Sequence, residues 1–416
     1  MRSLSRIRIL SIATLCCGSA SQAAEQSGFI EGSSANLVLR NFYINRAYTN
    51  DAHPQNKAEE WTQSFILDYR SGFTEGPVGF GVDVLGKLAI KLDGGRGTTG
   101  TLIPVRDDGR PADDFGRLGV AAKMRISKTE LKVGELMPNT PVLAADDGRA
   151  IPQTFEGALL TSKEFDRLTL SAGQFRRSAA RNDDSMEKLT LNQVSGFTSD
   201  RFNLAGGDYL INENRTLLRA WYGELEDIYG QKYLAVYHTQ PLNEQVSLNA
   251  KLQYYWGDET GSAKAGDLDN RTFSSLVGVQ AGAHTVSVGL QKISGDNGWF
   301  KVGNAAAGIL VNDTFNNSYD NPHEKSWQVR YDLNFAPYGV PGLSFMTRYL
   351  KGTHVQTAQV DDGTEYGRES ELAYVFQSGA FKDLSLRWRQ STLRRDFGTN
   401  EYDEHRLIIN YPISLL

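Results

Sequence analysis

The pattern at the C-terminal end constrains the fold more than any other feature of the chain. Across 405–415, Leu407, Ile409, Tyr411, Ile413 and Leu415 fall on one face of an extended backbone, with Arg406, Ile408 and Asn410 on the other. Successive side chains of a strand point to opposite sides, so this spacing builds one dry face and one wetter face. Its length matches the roughly 9–11 residues that a tilted strand needs to cross a bilayer with lipid outside and water inside.

The alternation recurs along the chain. Within 78–92, Val78, Phe80, Val82, Val84, Leu88, Ile90 and Leu92 oppose Asp83, Lys87 and Lys91. Within 117–126, Leu118, Val120, Ala122, Met124 and Ile126 oppose Arg117, Lys123 and Arg125. The segments 247–255, 326–335 and 384–391 repeat the pattern, with Lys251, Arg330, Arg387 and Arg389 on the wet side. Turn signals such as Glu75-Gly76-Pro77, Asp93-Gly94-Gly95 and Gly339-Val340-Pro341-Gly342 separate them. Long polar stretches at 94–114, 138–154 and 304–324 alternate with short turns, as in an outer-membrane barrel.

A soluble β-sandwich or β-helix also alternates, but buries its apolar face in a small core. Here Trp327, Tyr331, Phe335, Trp388 and Tyr411 sit on the apolar faces toward strand ends, which suits the aromatic girdles of a lipid-facing band. The expected fold is therefore all-β, a transmembrane antiparallel β-barrel. At about 20–22 residues per strand and connection, a mature chain of about 390 residues provides 16 to 18 strands.

The first residues read as a secretory signal. Arg2, Arg6 and Arg8 form a basic start, 9–20 is apolar or small, and Ser21-Gln22-Ala23 offers a small-x-small cleavage site. The predicted organisation is a cleaved signal at 1–24 and one barrel domain at 25–416. Cys16 and Cys17 both lie in the signal, so the mature chain has no thiol to oxidise in an oxidising compartment. Losing three arginines takes the formal charge from −5 to −8, which argues against a nucleic-acid partner.

The wet faces are rich in cations. Arg117, Lys123, Arg125, Lys251, Arg330, Arg387, Arg389 and Arg406 alternate with apolar residues, and Arg40 lies in the run Leu37-Val38-Leu39-Arg40-Asn41-Phe42-Tyr43. The matching acids read from the pattern are few: Asp68, Asp83 and Asp332. A row of guanidiniums along a wet channel attracts anions, and its planar forks suit carboxylates. Alternatively each arginine simply pairs with an acid on a neighbouring strand. Because a barrel of this size leaves a wide pore, something must fold into it. The segment 134–155, with three prolines, Val142, Leu143 and Ile151, is the candidate, and it carries Arg149.

Other motifs are weak. Ser185-Met186-Glu187-Lys188 matches a serine–lysine nucleophile spacing but lacks the partner motifs, and 94–100 lacks the ending of a phosphate loop. The six histidines show no metal-ligand spacing. His238 is the one candidate base for an outer-membrane phospholipase.

Several runs together resemble the OprD-type family of outer-membrane substrate-specific porins. They are Gly28-Phe29-Ile30-Glu31 with Leu39 to Tyr43, the loop from Pro138 through Arg149 to Gly157, and Leu225-Glu226-Asp227-Ile228-Tyr229. Gln291-Lys292-Ile293-Ser294-Gly295-Asp296, Glu324 to Asp332, and Val340-Pro341-Gly342-Leu343 follow. The resemblance spans the mature chain. It implies an 18-stranded barrel in the bacterial outer membrane, constricted by an inward-folded third extracellular loop and a neighbouring fourth. It further implies passive uptake of small carboxylate-bearing nutrients along a basic ladder.

By position, Arg149 matches the constriction-loop arginine, Arg181 the fourth-loop contribution and Arg406 a ladder member in the last strand. The arginine-dense run 174–181 is more similar to the branch taking aromatic or small monocarboxylates such as benzoate-like compounds. Asp296, with Asp183, offers the acidic pocket that a channel for basic amino acids or short peptides would need. The expected partners are small anionic organic acids and outer-membrane lipid, with no cofactor, and the state is a monomer or a weakly associated homotrimer.

Overall fold

The computed structural model describes residues 28–192, 196–303, 309–315 and 317–416. The signal predicted at 1–24 lies outside the described residues. The chain runs up and down in sequence order through β1 (Ser34–Tyr48), β2 (Lys57–Arg70), β3 (Gly79–Asp93), β4 (Asp114–Ile126), β5 (Thr129–Leu136), β6 (Thr154–Ser162) and β7 (Leu168–Ala179). Two short strands, β8 (Glu187–Thr190) and β9 (Thr198–Ser199), belong to a loop. The wall resumes with β10 (Phe202–Ile211), β11 (Thr216–Leu225), β12 (Tyr229–Pro241), β13 (Val246–Glu259), β14 (Asp269–Ala281) and β15 (His284–Ser294). It ends with β16 (Lys325–Asn334), β17 (Leu343–Thr357), β18 (Val360–Val375), β19 (Ser385–Arg395) and β20 (Tyr402–Ser414).

Every wall strand pairs antiparallel with the next, and β7 bypasses β8 and β9 to pair with β10. The first and last strands then pair from Asn36 opposite Ser414 to Tyr48 opposite Tyr402. The result is a closed 18-strand antiparallel barrel. Closure removes every edge, which a sheet in lipid requires because no water is there to satisfy open backbone groups.

The side-chain alternation holds where it was expected. Leu118, Val120, Leu407 and Ile409 are exposed on the outer surface, whereas Arg406 (1% exposed) and Ile408 (5%) are buried inside. Two-residue turns at 127–128 and 282–283 occupy the end that carries both chain termini, and the connections at 94–113, 137–153, 180–201 and 295–324 occupy the other. Short turns mark the periplasmic end and long loops the outside.

The long loops do not stand clear of the barrel. Leu143 from 137–153, Leu189 and Leu191 from 180–201, and Trp299, Phe300 and Leu310 from 295–324 pack into one buried cluster. The wall side of that cluster comes from Phe155, Phe175, Phe202, Trp221, Tyr229, Tyr233 and Tyr255. Each large apolar side chain so buried contributes roughly 1.5–3 kcal/mol, enough to hold the loops down. Gly134 lets the first loop leave the wall at this point. It has φ +139°, and a Cβ there would meet the Val120 carbonyl oxygen at 2.2 Å. The loop at 295–324, whose stretch 304–324 is one of the long polar connections, also folds inward: among its described residues Leu310 and Tyr319 are buried.

Candidate functional site

The constriction is assembled from the 137–153 loop held against the opposite wall. Arg40 on β1 donates to both carboxylate oxygens of Asp147, at 2.7 and 2.9 Å, and to the Arg149 carbonyl at 2.9 Å. Its Nε donates to Asn410 on β20 at 3.0 Å. From the other side, Arg181 of the 180–201 loop pairs with Asp146. Lys87 on β3 donates to Thr154 at 2.8 Å and pairs with Glu135 at 3.3 Å, which fixes the return of the loop to β6. Two consecutive acids, Asp146 and Asp147, thus spend their charge on positioning the loop.

That leaves Arg149 itself. Its guanidinium donates to the neighbouring Gly148 carbonyl at 2.9 Å and makes no ion pair among the described residues. Burial, and then the charges of Arg181 and Arg406, push it well below its ordinary value, with Glu404 acting in the opposite sense. Burial also lowers Arg181, offset by Asp146. Arginine titrates so high in water that both keep their charge at neutral pH.

The wall facing this loop carries the ladder. Arg389 on β19 lies directly opposite Arg406 on β20. Arg406 donates from Nε to Glu404 at 2.6 Å, and Arg46 on β1 reaches the same carboxylate at 2.7 Å. Arg389 and Arg387 share Glu371 on β18, at 2.5 and 3.5 Å. Arg395 pairs with Glu365 at 2.8 Å, and Arg348 on β17 donates to Glu369 at 2.7 Å. The acids here were understated from sequence alone. Glu365, Glu369, Glu371 and Glu404 all face inward, so most single arginines are paired across strands, as the alternative reading held.

Phe315 from the 295–324 loop inserts between these cations. Its carbonyl accepts from Arg406 Nη2 at 2.6 Å. Its ring centroid lies 4.7 Å from the Arg389 guanidinium, 5.2 Å from Arg406 and 5.9 Å from Arg348. An aromatic face attracts cations, so the ring is held by the ladder it covers. Neither Phe315 nor Glu404 stood out in the sequence.

The remaining sequence candidates spread out. Arg117 pairs with Glu135 at 2.7 Å and reaches the Asp184 carbonyl, on the outer side of the lumen. Lys123 sits toward the short-turn end, bonded to Asp83 at 2.6 Å and to the Ser71 carbonyl at 2.7 Å. Arg125, at the end of β4, is exposed at the periplasmic rim, its guanidinium 4.1 Å from the Phe73 ring centroid. Asp296 is not brought to the constriction. Its side chain is 94% exposed on the outer loop, 3.5 Å from His323, because the chain turns outward as it leaves β15. His238 lies in the β12 wall, bonded to the Thr216 hydroxyl on β11 at 2.8 Å. Among the described residues no His, Cys, Asp or Glu group could hold a metal ion.

The geometry agrees with known proteins. A profile of the OprD family, outer membrane porins, matches residues 27–415. A BenF-like porin from Pseudomonas fluorescens Pf-5 is 56% identical, with a TM-score of 0.92 over 93% of this chain and 100% of that one. OccK2 (OpdF) of Pseudomonas aeruginosa, solved in complex with glucuronate, is 53% identical, with a TM-score of 0.86 over 94% and 100%. OpdK of the same organism, solved with vanillate, is 42% identical, with a TM-score of 0.89 over 93% and 100%. These relatives are channels, not enzymes, which removes the phospholipase alternative. The chain belongs to the OprD family of porins and is a channel of the bacterial outer membrane.

Proposed function

We propose that the channel admits small carboxylate-bearing organic acids by passive diffusion, and aromatic monocarboxylates in particular. The observation that carries this reading is Arg149, a half-buried guanidinium without an ion-pair partner among the described residues, repelled by Arg181, Arg406 and Arg46 on the loop that folds into the lumen. A carboxylate arriving there offsets the repulsion and can accept two hydrogen bonds from the planar fork. The ladder beyond it offers successive sites, and weak multiple sites let an ion leave as readily as it enters. Glucuronate and vanillate, seen with the two related channels, are both organic acids and support the class. The Phe315 ring beside the guanidiniums supports the aromatic preference.

A channel for basic amino acids needs acids free to receive a second positive charge. Asp146 and Asp147 are committed to Arg181 and Arg40, and Asp296 lies outside the lumen. That reading is the less supported one.

The test is block of single-channel current by benzoate, titrated on the wild-type channel and on Arg149→Ala. One charge-assisted hydrogen bond contributes roughly 1.5–3 kcal/mol, so the variant should bind benzoate at least about tenfold more weakly. Equal block in both would remove Arg149 from the pathway, and stronger block by arginine than by benzoate would favour the amino-acid reading.

A further inference from the structure

Below the constriction, on the wall across from the ladder, Lys251 faces the lumen with no acid paired to it among the described residues. Lys251 on β13 shares the inward face with Gln253 and Tyr255, which are buried, while Lys251 itself is exposed. Tyr255 reaches up to the constriction loop, donating from its hydroxyl to the Pro141 carbonyl at 3.2 Å. Lys251 follows about 13 Å further along β13 in the direction of its periplasmic end, at about 3.3 Å per residue. It therefore stands where the packed interior ends and the open lumen begins.

The surroundings of Lys251 are charged but already balanced, except at Lys251. Arg219 is held by both oxygens of Asp208, at 2.8 and 2.9 Å. Arg330 is held by both oxygens of Asp332, at 2.8 and 2.7 Å. Both cations act on Lys251 electrostatically, and Lys251 forms no ion pair or hydrogen bond among the described residues. Its ammonium lies 5.4 Å from the ring centroid of Tyr237, its cross-strand partner. That ring is fixed in place, because the Tyr237 hydroxyl contacts Gln253 Nε2 and the Tyr233 hydroxyl, each at 3.1 Å. An unbalanced ammonium beside an immobilised aromatic ring matches an aromatic carboxylate: the charge takes the carboxylate and the ring takes the substrate's ring.

Resting on the carboxylate reading above, we infer that Lys251 and Tyr237 form a second binding station, which receives the aromatic acid on the periplasmic side of the constriction. Arg149 and Lys251 then face the pathway from opposite walls and hand the anion from one to the other.

Two stations predict sidedness. Benzoate is added to one compartment at a time, and current block is compared for wild type, Lys251→Gln, Lys251→Arg and Arg149→Ala. Lys251→Gln should weaken block from the periplasmic side about tenfold, with block from the outer side little changed, and Lys251→Arg should restore it. Arg149→Ala should show the opposite asymmetry. Tyr237→Leu should reduce periplasmic block by benzoate more than block by acetate, which has no ring to stack. Unchanged periplasmic block in Lys251→Gln, with Arg149→Ala still affected, overturns the second station alone. No benzoate block of the wild-type channel from either side overturns the carboxylate reading and this station together.

Discussion

At the scale of single residues, the constriction depends on how completely each buried charge is matched. Glu404 is the point of greatest load, since Arg46 and Arg406 both bond to it within the barrel wall. Removing one member of a buried pair leaves its partner's charge uncompensated and costs about 3–5 kcal/mol. Glu404→Gln should therefore unfold at a clearly lower denaturant concentration in detergent, while any channels that form should be more anion-selective. A variant as stable as wild type would mean that water already solvates these guanidiniums. Phe315 makes the complementary case. Its ring is attached to the ladder through cation contacts, and the loop behind it is anchored by Trp299, Phe300 and Tyr319. Phe315→Ala should raise unitary conductance and weaken benzoate block relative to acetate, without altering stability. Unchanged conductance would place the ring out of the ion path.

At the scale of elements, the wall was far easier to read from sequence than the loops. Lipid demands an apolar residue at every second position, so Leu407 and Arg406 declare their sides without any partner being known. The 137–153 loop gave a weaker sign, since Val142, Leu143 and Ile151 are poor residues for open water, and all three are buried. The 295–324 loop offered no comparable pattern. Its contacts join residues far apart in sequence, such as Arg406 with Phe315 and Asn317 with Glu365, and no local period encodes them. The inward acids were a readable sign passed over. Glu365, Glu369 and Glu371 recur at even spacing on β18, so all three must share one face.

The same loop should respond to pH. Glu324, at the end of the loop, is buried, and its carboxyl is raised well above its usual value, first by burial and then by the charge of Glu365. Asn321 Nδ2 bridges the two carboxylates at 2.8 and 3.2 Å. A carboxyl that holds its proton more tightly when folded costs nothing below its ordinary titration. The cost grows as pH rises from there through the raised value. Amide exchange across 295–324 should therefore speed up as pH rises above the ordinary carboxylate range, and Glu324→Gln should flatten that dependence. Exchange that slows with rising pH, after correction for intrinsic rates, would reverse the sign and refute the assignment.

At the scale of the whole molecule, selectivity arises from an arrangement rather than from total charge. The chain carries a net formal charge of −5, yet its arginines line the lumen from β16 through β20 to β1. Their acids sit mainly beside them in the wall, while Arg149 and Lys251, which have no ion-pair partner among the described residues, face the pathway. A pore built this way should select anions in spite of its acidic sequence, and increasingly weakly as salt screens the guanidiniums over about 10 Å at 0.1 M. The direct measurement is the reversal potential of the purified channel in a planar bilayer across a salt gradient, for wild type and Arg149→Ala. An anion-selective potential that moves toward zero in the variant is the predicted result. A cation-selective wild-type channel, or an anion-selective one that Arg149→Ala leaves unchanged, would contradict the account.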